Sequence, residues 1–180
     1  MCKFRDLRAD EIECRVQSVK ENGLVLLLYK DARVDMNILD ETVGSSNWQR
    51  EHYECKGNLF CRVGIKCTTG TYDEWVYKSD CGTESNTEAQ KGEASDSFKR
   101  ACFNWGIGRE LYTSPFIWVK AEDCKLVDTK KTDKYGQPIL ACCDKFVVEN
   151  IRIENKKITG IHIYNVTQKK RCYTWVEAKK

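Results

Sequence analysis

Residues 1–46 show two helical patterns separated by one continuous apolar run. From Asp10 to Lys20 the apolar side chains recur every three or four residues, which predicts a helix that ends before Gly23. The run Leu24 to Tyr29 is apolar throughout and predicts a strand. The helical spacing returns from Val34 to Val43 and stops at the sequence Gly-Ser-Ser of residues 44–46. The chain is therefore predicted to open as helix, strand and helix.

A regular pattern with an apolar residue at every second position follows, between two turn sequences. In residues 59–67 every second residue is apolar, and the residues between them are Phe60, Arg62, Gly64 and Lys66. This period of two predicts a strand with one buried face and one face that carries basic side chains and an aromatic ring. Turn sequences at 56–58 and 68–70 mark hairpins on both sides, and residues 72–78 supply the next strand. We therefore predict a three-stranded antiparallel meander.

The next segment has the pattern of one long amphipathic helix. It follows Ser85-Asn86-Thr87, residue types that cap helices, and runs to Trp105 before Gly106. An apolar stripe, expected to pack on the meander, comprises Ala94, Phe98, Ala101, Cys102 and Trp105. The opposite side carries Asp96, Lys99, Arg100 and Phe103. Two adjacent basic side chains and an outward ring suit the binding of nucleic acid, because cations can contact phosphates and a ring can stack on a nucleobase. A solvated helix face, with Phe103 covered by another element, fits the same pattern.

The remainder of the chain has the pattern of short strands and one charged segment. Residues 116–119 predict a strand and residues 120–138 a charged, turn-rich loop, and three more strands are predicted at 146–153, 157–165 and 171–175. The predicted fold class is α+β: an antiparallel meander packed on one long helix, with flanking helices and a C-terminal β extension. We divide the chain into a core at 1–119, the loop at 120–138 and the extension at 139–180, as parts of one domain.

Composition and charge narrow the possible functions. Hydrophobic residues make up 41% of the chain and charged residues 32%, which is ordinary for a globular domain. The sequence has no apolar run long enough to span a membrane, and its start, residues 1–6, lacks a secretory leader, so we expect a cytoplasmic protein without a membrane partner. Residues 1–90 carry 12 basic and 16 acidic side chains, and residues 91–180 carry 18 and 11. This asymmetry allows a half that faces a polyanion, or attraction between protomers.

Cysteine spacing and the known catalytic motifs suggest neither a metal nor a cofactor. The eleven cysteines, without a secretory leader, predict reduced thiols, and Cys55, Cys61 and Cys67 are too far apart in sequence for a zinc motif. The sequence lacks a nucleotide-binding Gly-x-x-x-x-Gly-Lys-Ser/Thr loop and a Gly-x-Ser-x-Gly elbow. We therefore expect no enzyme activity. The acidic residues leave one enzymatic alternative open, a magnesium-dependent nuclease that uses Asp73, Glu74, Glu93 or Asp96.

Three segments of the chain, at residues 37–48, 70–74 and 91–106, resemble, in this order, signatures of the Rad52/22 family of single-strand annealing proteins. Residues 37–48, Asn-Ile-Leu-Asp-Glu-Thr-Val-Gly-Ser-Ser-Asn-Trp, resemble its helix–Gly–Trp signature. Residues 70–74, Gly-Thr-Tyr-Asp-Glu, are similar to its second hairpin. Residues 91–106 resemble its long helix, with a Lys-Arg-Ala core and a terminal aromatic residue followed by glycine. The resemblance covers roughly residues 5–115, and the compact size is similar to the phage-encoded, Sak-type members.

The resemblance implies a fold and a set of DNA-binding residues. Family members have a β-β-β-α core, assemble into rings or helical arcs, and anneal complementary single strands without ATP. Basic residues on their long helix line the groove that holds DNA, which implies that Lys99 and Arg100 contact DNA. The family has a further basic residue one turn later, and this chain has Phe103 at that position, where stacking on a nucleobase would replace a phosphate contact. The family also uses an arginine just before its helix–Gly–Trp segment, and Arg33 is the nearest candidate for it, one residue out of register. Some members have a second DNA site with a basic residue in the hairpin turn, where this chain has Thr68 and Thr69. Lys66, on the same strand face as Thr68, would stand in for it, and Arg62 lies on that face as well.

We therefore expect a homo-oligomeric protein of phage or prophage origin that acts in homologous recombination and double-strand break repair. Its expected partners are single-stranded DNA, further copies of itself, a single-strand-binding protein and an exonuclease. Among binding proteins the alternative is a double-stranded RNA-binding-like module, because the α-β-β-β-α order is shared with that fold.

Overall fold

The computed structural model of the protein describes residues 3–69, 72–83 and 89–178. Over these residues it has two α-helices and eleven strands in antiparallel sheets, so the predicted mixture of helix and sheet is confirmed and strands predominate. In chain order the elements are β1 (Glu13–Lys20), β2 (Gly23–Tyr29), α1 (Ala32–Val43), β3 (Trp48–Cys55), β4 (Asn58–Thr69), β5 (Tyr72–Cys81), α2 (Ala89–Trp105), β6 (Ile117–Lys120), β7 (Leu126–Thr132), β8 (Pro138–Cys142), β9 (Phe146–Glu154), β10 (Lys157–Asn165) and β11 (Lys170–Val176).

These elements form two compact units. The helix–sheet unit consists of Met1–Asp6 and Asp31–Arg109, and the sheet unit consists of Leu7–Lys30 and Glu110–Lys180. The sheet unit is thus built from two separated pieces of chain. The boundaries of the units differ from those that the sequence suggested, after residues 119 and 138.

The helix–sheet unit contains the predicted antiparallel meander, in the strand order β3-β4-β5. Cys55 pairs with Asn58 beside the first turn, and β4 pairs with β5 as far as Thr69 and Tyr72. The second turn, residues 70–71, lies outside the described residues. The alternation along β4 is confirmed, because the side chains fully buried on one face are those of Cys61, Val63 and Ile65.

Helix α2 covers this buried face through contacts with β4 and β5. Its residues Phe98, Ala101 and Cys102 are fully buried, as the apolar stripe predicts, and each large apolar side chain buried in this way stabilises the fold by about 1.5–3 kcal/mol. Trp105 Nε1 donates a hydrogen bond to the Val63 carbonyl at 3.0 Å. The predicted caps at 85–87 lie outside the described residues. Within the described part of the chain, no helix has the length and apolar character needed to cross a membrane.

Helix α1 also forms as predicted and lies in the same unit. Asp31 caps its N-terminus by accepting a hydrogen bond from the Arg33 backbone N–H at 2.8 Å. The helix ends at Gly44, whose φ of 84° is a conformation that glycine adopts without steric cost. The cap and the glycine fix where the helix begins and ends, and so place Arg33 in its first turn.

The sheet unit is a six-stranded antiparallel sheet in the order β11-β10-β9-β1-β2-β6, together with a separate hairpin of β7 and β8. The three C-terminal strands are confirmed, and they extend the sheet that begins with β1 and β2. Strands β1 and β9 meet at one register pair, Glu13 with Val147. The fully or almost fully buried apolar residues of the sheet include Leu24, Leu26, Ile117, Val119, Ile158, Ile161 and Ile163.

The predicted helix from Asp10 to Lys20 is wrong. A short 3-10 turn at Ala9–Glu11 leads directly into β1, which pairs with β2 from Glu13 opposite Tyr29 to Lys20 opposite Gly23. The apolar spacing fits a helix, but burial largely alternates along the strand, and a neighbouring apolar strand supplies its hydrogen bonds. Tertiary pairing therefore overrides the local period here.

The predicted loop at 120–138 also differs from the structure. It contains a 3-10 turn at Ala121–Asp123 and all of β7, and Pro138 begins β8. Strand β7 pairs with β8 from Leu126 opposite Cys142 to Thr132 opposite Pro138. Its charged residues are compatible with a strand because a two-stranded hairpin exposes most of its side chains.

Candidate nucleic-acid interface

Helix α2 carries the two adjacent basic residues that the sequence indicated. Lys99, Arg100 and Phe103 are half-buried, on positions between the fully buried ones. The Arg100 Nε lies 3.3 Å from Asp80 Oδ1 at the end of β5, and the two side chains are 39% and 27% exposed. Asp80 Oδ1 also accepts the Cys81 backbone N–H at 2.9 Å. A carboxylate fixed in this way orients the guanidinium above the end of the strand, where solvent can reach it.

The start of α1 lies close enough to Lys99 to share its electrostatic field. Hydrogen bonds from Arg33 hold the pKa of Asp31 below its ordinary value, and the positive charge of Lys99 lowers that pKa further. The Arg33 Nε is 2.8 Å from Asp31 Oδ1, and the Arg33 side chain is 83% exposed. The structure therefore places three of the predicted residues, Arg33, Lys99 and Arg100, in one unit, on two helices that contact each other.

A further basic residue, which the sequence did not indicate, lies at the C-terminal end of α2. Arg109 is exposed and donates hydrogen bonds to the carbonyls of Phe103 at 2.7 Å and Asn104 at 2.8 Å. Lys78 Nζ donates to the same Asn104 carbonyl at 2.8 Å. Cations are stabilised here because the last carbonyls of a helix carry partial negative charge. A basic residue shortly after the end of a helix often binds the last carbonyls, and this pattern could have indicated Arg109 from the sequence.

We call Arg33, Lys99, Arg100, Phe103 and Arg109 the helix surface. It carries four cations; Asp31 pairs with Arg33, and Asp80 pairs with Arg100. Exposed ion pairs of this kind contribute little to stability, so a phosphate can replace the carboxylate at small cost. Charge-assisted hydrogen bonds from guanidinium groups to phosphate are short and strong. The helix surface can therefore bind a phosphate backbone.

Arg62 and Lys66 lie elsewhere. Both are exposed and belong to the β4 positions that alternate with the buried ones, so they occupy the sheet face opposite α2. Arg62 Nη2 lies 2.6 Å from Glu51 Oε2, and Lys66 Nζ lies 2.8 Å from Asp73 Oδ2. The six residues singled out by the sequence are thus divided between two faces of the helix–sheet unit.

The acidic residues considered for a nuclease are mostly engaged in the fold. Glu93 Oε1 accepts the Leu59 backbone N–H at 3.0 Å, and Asp96 Oδ2 accepts the Thr83 backbone N–H at 3.1 Å. Asp73 pairs with Lys66 and accepts a hydrogen bond from the Thr68 hydroxyl at 2.8 Å. The hydrogen bonds from Lys66 and Thr68, together with the charge of Lys66, hold the pKa of Asp73 below its ordinary value. Over residues 3–69, 72–83 and 89–178, no group of three or more His, Cys, Asp or Glu side chains could hold a metal ion.

Comparison with known proteins identifies a family. The family model described as "Rad52/22 family double-strand break repair protein" matches residues 5–129. No curated protein and no solved structure matches the chain. The matched range includes every residue of the helix surface, together with Arg62 and Lys66. The chain belongs to the Rad52/22 family of double-strand break repair proteins.

Proposed function

We propose that the chain binds single-stranded DNA along the helix surface and anneals complementary strands in recombinational repair without ATP. The observation that carries this proposal is the group of cations on and beside α2, of which Arg33 and Arg109 are the most accessible. Family membership supports a function in DNA recombination and repair. Strand annealing is the reaction of this kind that needs neither a nucleotide nor a catalytic group.

The chemistry of the helix surface suggests how annealing proceeds. Cations that contact phosphates release condensed counterions, and this release supplies most of the affinity irrespective of sequence. A strand held by its backbone keeps its base edges available to a second strand. Pairing then supplies the driving force, so that no bond of the protein or the DNA has to break. Phe103, half-buried beside Arg100, would contribute a stacking contact with one base.

The same proposal extends to the fold and the assembly. We assign the β-β-β-α core of the family to β3, β4, β5 and α2, and propose that copies of this core assemble into a ring or helical arc that aligns successive helix surfaces. A phage-encoded protein of this kind would work in the host cytoplasm with a single-strand-binding protein and an exonuclease. Light scattering should then give a mass that is a multiple of the 20.9 kDa protomer, and a stable monomer with and without DNA would argue against assembly.

The decisive experiment measures annealing of two complementary oligonucleotides, one with a fluorophore and one with a quencher, in EDTA and without nucleotide. Wild-type protein should accelerate pairing, and the double variant Lys99→Ala/Arg100→Ala should lose most of this acceleration. Its slope of log affinity against log salt should fall by about 0.7 per lost contact. The matched control is Lys125→Ala/Lys131→Ala, which removes the same charge from exposed positions of the sheet unit.

Three outcomes would contradict the proposal. If both double variants anneal like wild type, the helix surface is not the DNA site. If labelled strands become shorter on a denaturing gel when magnesium is present, the protein is a nuclease. Preference for duplex RNA over single-stranded DNA in the same binding assay would favour the RNA-binding alternative.

A further inference from the structure

The outer face of the sheet unit carries apolar side chains on the neighbouring strands β2 and β6. Val25 and Leu27 alternate with fully buried residues of β2, and Phe116 and Trp118 alternate with those of β6. Val25 pairs with Trp118, and the same register continued by two residues places Leu27 opposite Phe116. We call Val25, Leu27, Phe116 and Trp118 the apolar strip. Leu27 is 47% exposed and Phe116 is 71% exposed, and adjoining apolar side chains that face solvent in this way mark interaction sites.

The rings of the apolar strip are held in place by their neighbours. Phe116 and Trp118 stack with ring centroids 6.5 Å apart and planes inclined by 14°. Trp118 lies over Gly23, where a Cβ would come within 2.7 Å of the indole ring. The Tyr173 hydroxyl donates a hydrogen bond to the Phe116 carbonyl at 2.9 Å. A surface that is fixed before binding loses little conformational freedom when a partner covers it.

Basic side chains border the apolar strip. Gly23 pairs with Lys20 on one side and with Lys120 on the other, and both lysines are exposed. Since the Trp118 ring covers Gly23, the two lysines flank this ring. A third exposed cation, Arg15, lies on β1 next to the strip.

Few carboxylates neutralise these cations. Lys120 has an exposed partner in Glu122 at 3.4 Å, whereas the other two cations form no ion pair with any residue that the structure describes. The carboxylate of Glu13, on the same strand as Arg15, accepts a hydrogen bond from the Tyr29 hydroxyl, which raises the pKa of Tyr29 to about 12. Exposed ion pairs contribute little to stability, so carboxylates of a partner can compete for Lys120. The border of the strip therefore favours an acidic partner.

We propose that the apolar strip is the docking site for an acidic segment of a partner protein. Large apolar side chains of this segment pack on Leu27, Phe116 and Trp118, and its carboxylates pair with the bordering cations. The centre of a protein interface is enriched in aromatic residues and its rim is polar, as in this arrangement. A few aromatic anchors supply most of the affinity of such an interface. All of these residues belong to the sheet unit, so the proposal does not depend on the helix surface.

The composition of the apolar strip favours a protein over a nucleic acid. Val25 and Leu27 make up half of the strip and offer no π surface on which a base can stack. A single strand also needs cations along its whole path, whereas Lys20 and Lys120 lie together at one end. A second copy of the strip is disfavoured as well, because a two-fold contact places identical surfaces, with the same cations, against each other.

The test selects ligands from random peptides displayed on phage, with the full-length protein immobilised. We expect the enriched sequences to combine Asp or Glu with large apolar residues. A fluorescein-labelled enriched peptide should bind wild-type protein in anisotropy titrations. Leu27→Ser/Phe116→Ser should weaken this binding about 30-fold or more, because it removes central anchors. Lys20→Glu/Lys120→Glu should reverse the selection and enrich basic peptides.

Val127→Ser/Tyr135→Ser is the matched control. These two side chains are 44% and 74% exposed, close to the values for Leu27 and Phe116, and they belong to the segment of β7 and β8. Their replacement should leave the affinity for the peptide unchanged. The proposal would be overturned if no peptide is enriched, if the enriched peptides lack acidic residues, or if both double serine variants bind the peptide like wild type.

The partner site and the proposed annealing site can fail independently. Leu27→Ser/Phe116→Ser should anneal naked strands like wild type, and Lys99→Ala/Arg100→Ala should keep its affinity for the peptide. Weaker binding of oligo(dT) by the double serine variant would overturn the partner site in favour of a nucleic-acid surface. A smaller mass of this variant in light scattering would overturn it in favour of a contact between copies of the chain.

Discussion

Replacing Asp31 by asparagine should strengthen the binding of single-stranded DNA. Asp31 is the carboxylate that competes with phosphate for Arg33, at 2.8 Å from its Nε, and it lies in the field of Lys99. Asparagine keeps the side-chain oxygen that caps α1 and is about as good a capping residue as aspartate. The substitution therefore removes one negative charge from the helix surface and leaves the start of the helix intact.

The structure sets the size of the effect. The ion pair is exposed, with Arg33 at 83% and Asp31 at 39%, and exposed pairs contribute about 0.2–1 kcal/mol. A phosphate that no longer has to displace this pair should bind roughly 1.4- to 5-fold more tightly. The salt slope should become steeper, because one negative charge fewer beside Arg33 lets its contact with a phosphate release up to a full counterion, a change in slope of about 0.7. The folded state should lose at most about 1 kcal/mol through the weaker interaction with the helix dipole.

Fluorescence anisotropy of a labelled oligonucleotide, titrated at several salt concentrations, measures both quantities. The matched control is Asp10→Asn in the sheet unit, where an exposed aspartate pairs with Arg8 at 3.5 Å. Equal affinity and slope in wild type, variant and control would refute the assignment of Arg33 and Lys99 to the DNA site. Weaker binding of Asp31→Asn, at unchanged thermal stability, would refute it as well.

Three further predictions concern acid stability, thiol reactivity and packing. Burial raises the pKa of Asp144, but hydrogen bonds from three neighbours outweigh it and hold that pKa below 3.8; its stabilising effect is therefore complete above about pH 4 and is lost as the pH falls through the folded-state value, so Asp144→Asn should flatten the decline of the urea midpoint below pH 4. Burial raises the pKa of the Cys61 thiol to about 11, so a time course of alkylation at pH 8 should label exposed Cys55 first, and equal rates would contradict the packing of β4. Phe98 is fully buried beneath Trp48, with ring centroids 6.2 Å apart, so Phe98→Ala should lower the free energy of unfolding by about 3–5 kcal/mol in urea titrations, and a loss under about 1 kcal/mol would show that this core is not formed.

The sequence predicted the helix–sheet unit well because its elements are specified locally. In β4 the residues Cys61, Val63 and Ile65 alternate with polar ones next to a clear turn, and α2 carries one continuous apolar stripe. In both cases the period of the apolar positions matches the geometry of the element that forms. In β1 the same kind of evidence failed, since Ile12, Val16 and Val19 match a helical period although β2 pairs with the segment.

The candidate site could be predicted only in part. The position of Lys99 and Arg100 on one side of a helix follows from spacing alone, and the structure agrees with it. Asp31 and Asp80, which pair with two of the cations, come from separate parts of the chain, and only the tertiary fold shows which basic side chain each one contacts. Gly64 shows the same limit: a Cβ there would come within 2.5 Å of the ring of Tyr77, its partner on β5, and a glycine within a strand gives no indication of such a ring.

The discontinuous construction of the sheet unit bears on how the chain is made. During synthesis the hairpin of β1 and β2 leaves the ribosome first, but its neighbour β6 ends at Lys120, about 90 residues later, and β9 follows at Phe146. At roughly 5–20 residues per second, β2 waits about 5 to 20 s with an apolar edge unpaired. The contiguous segment 31–109 can complete its own contacts within that interval. The nascent protein is thus most exposed to aggregation while its first hairpin waits, and slower elongation before β6 should lower the yield of native protein.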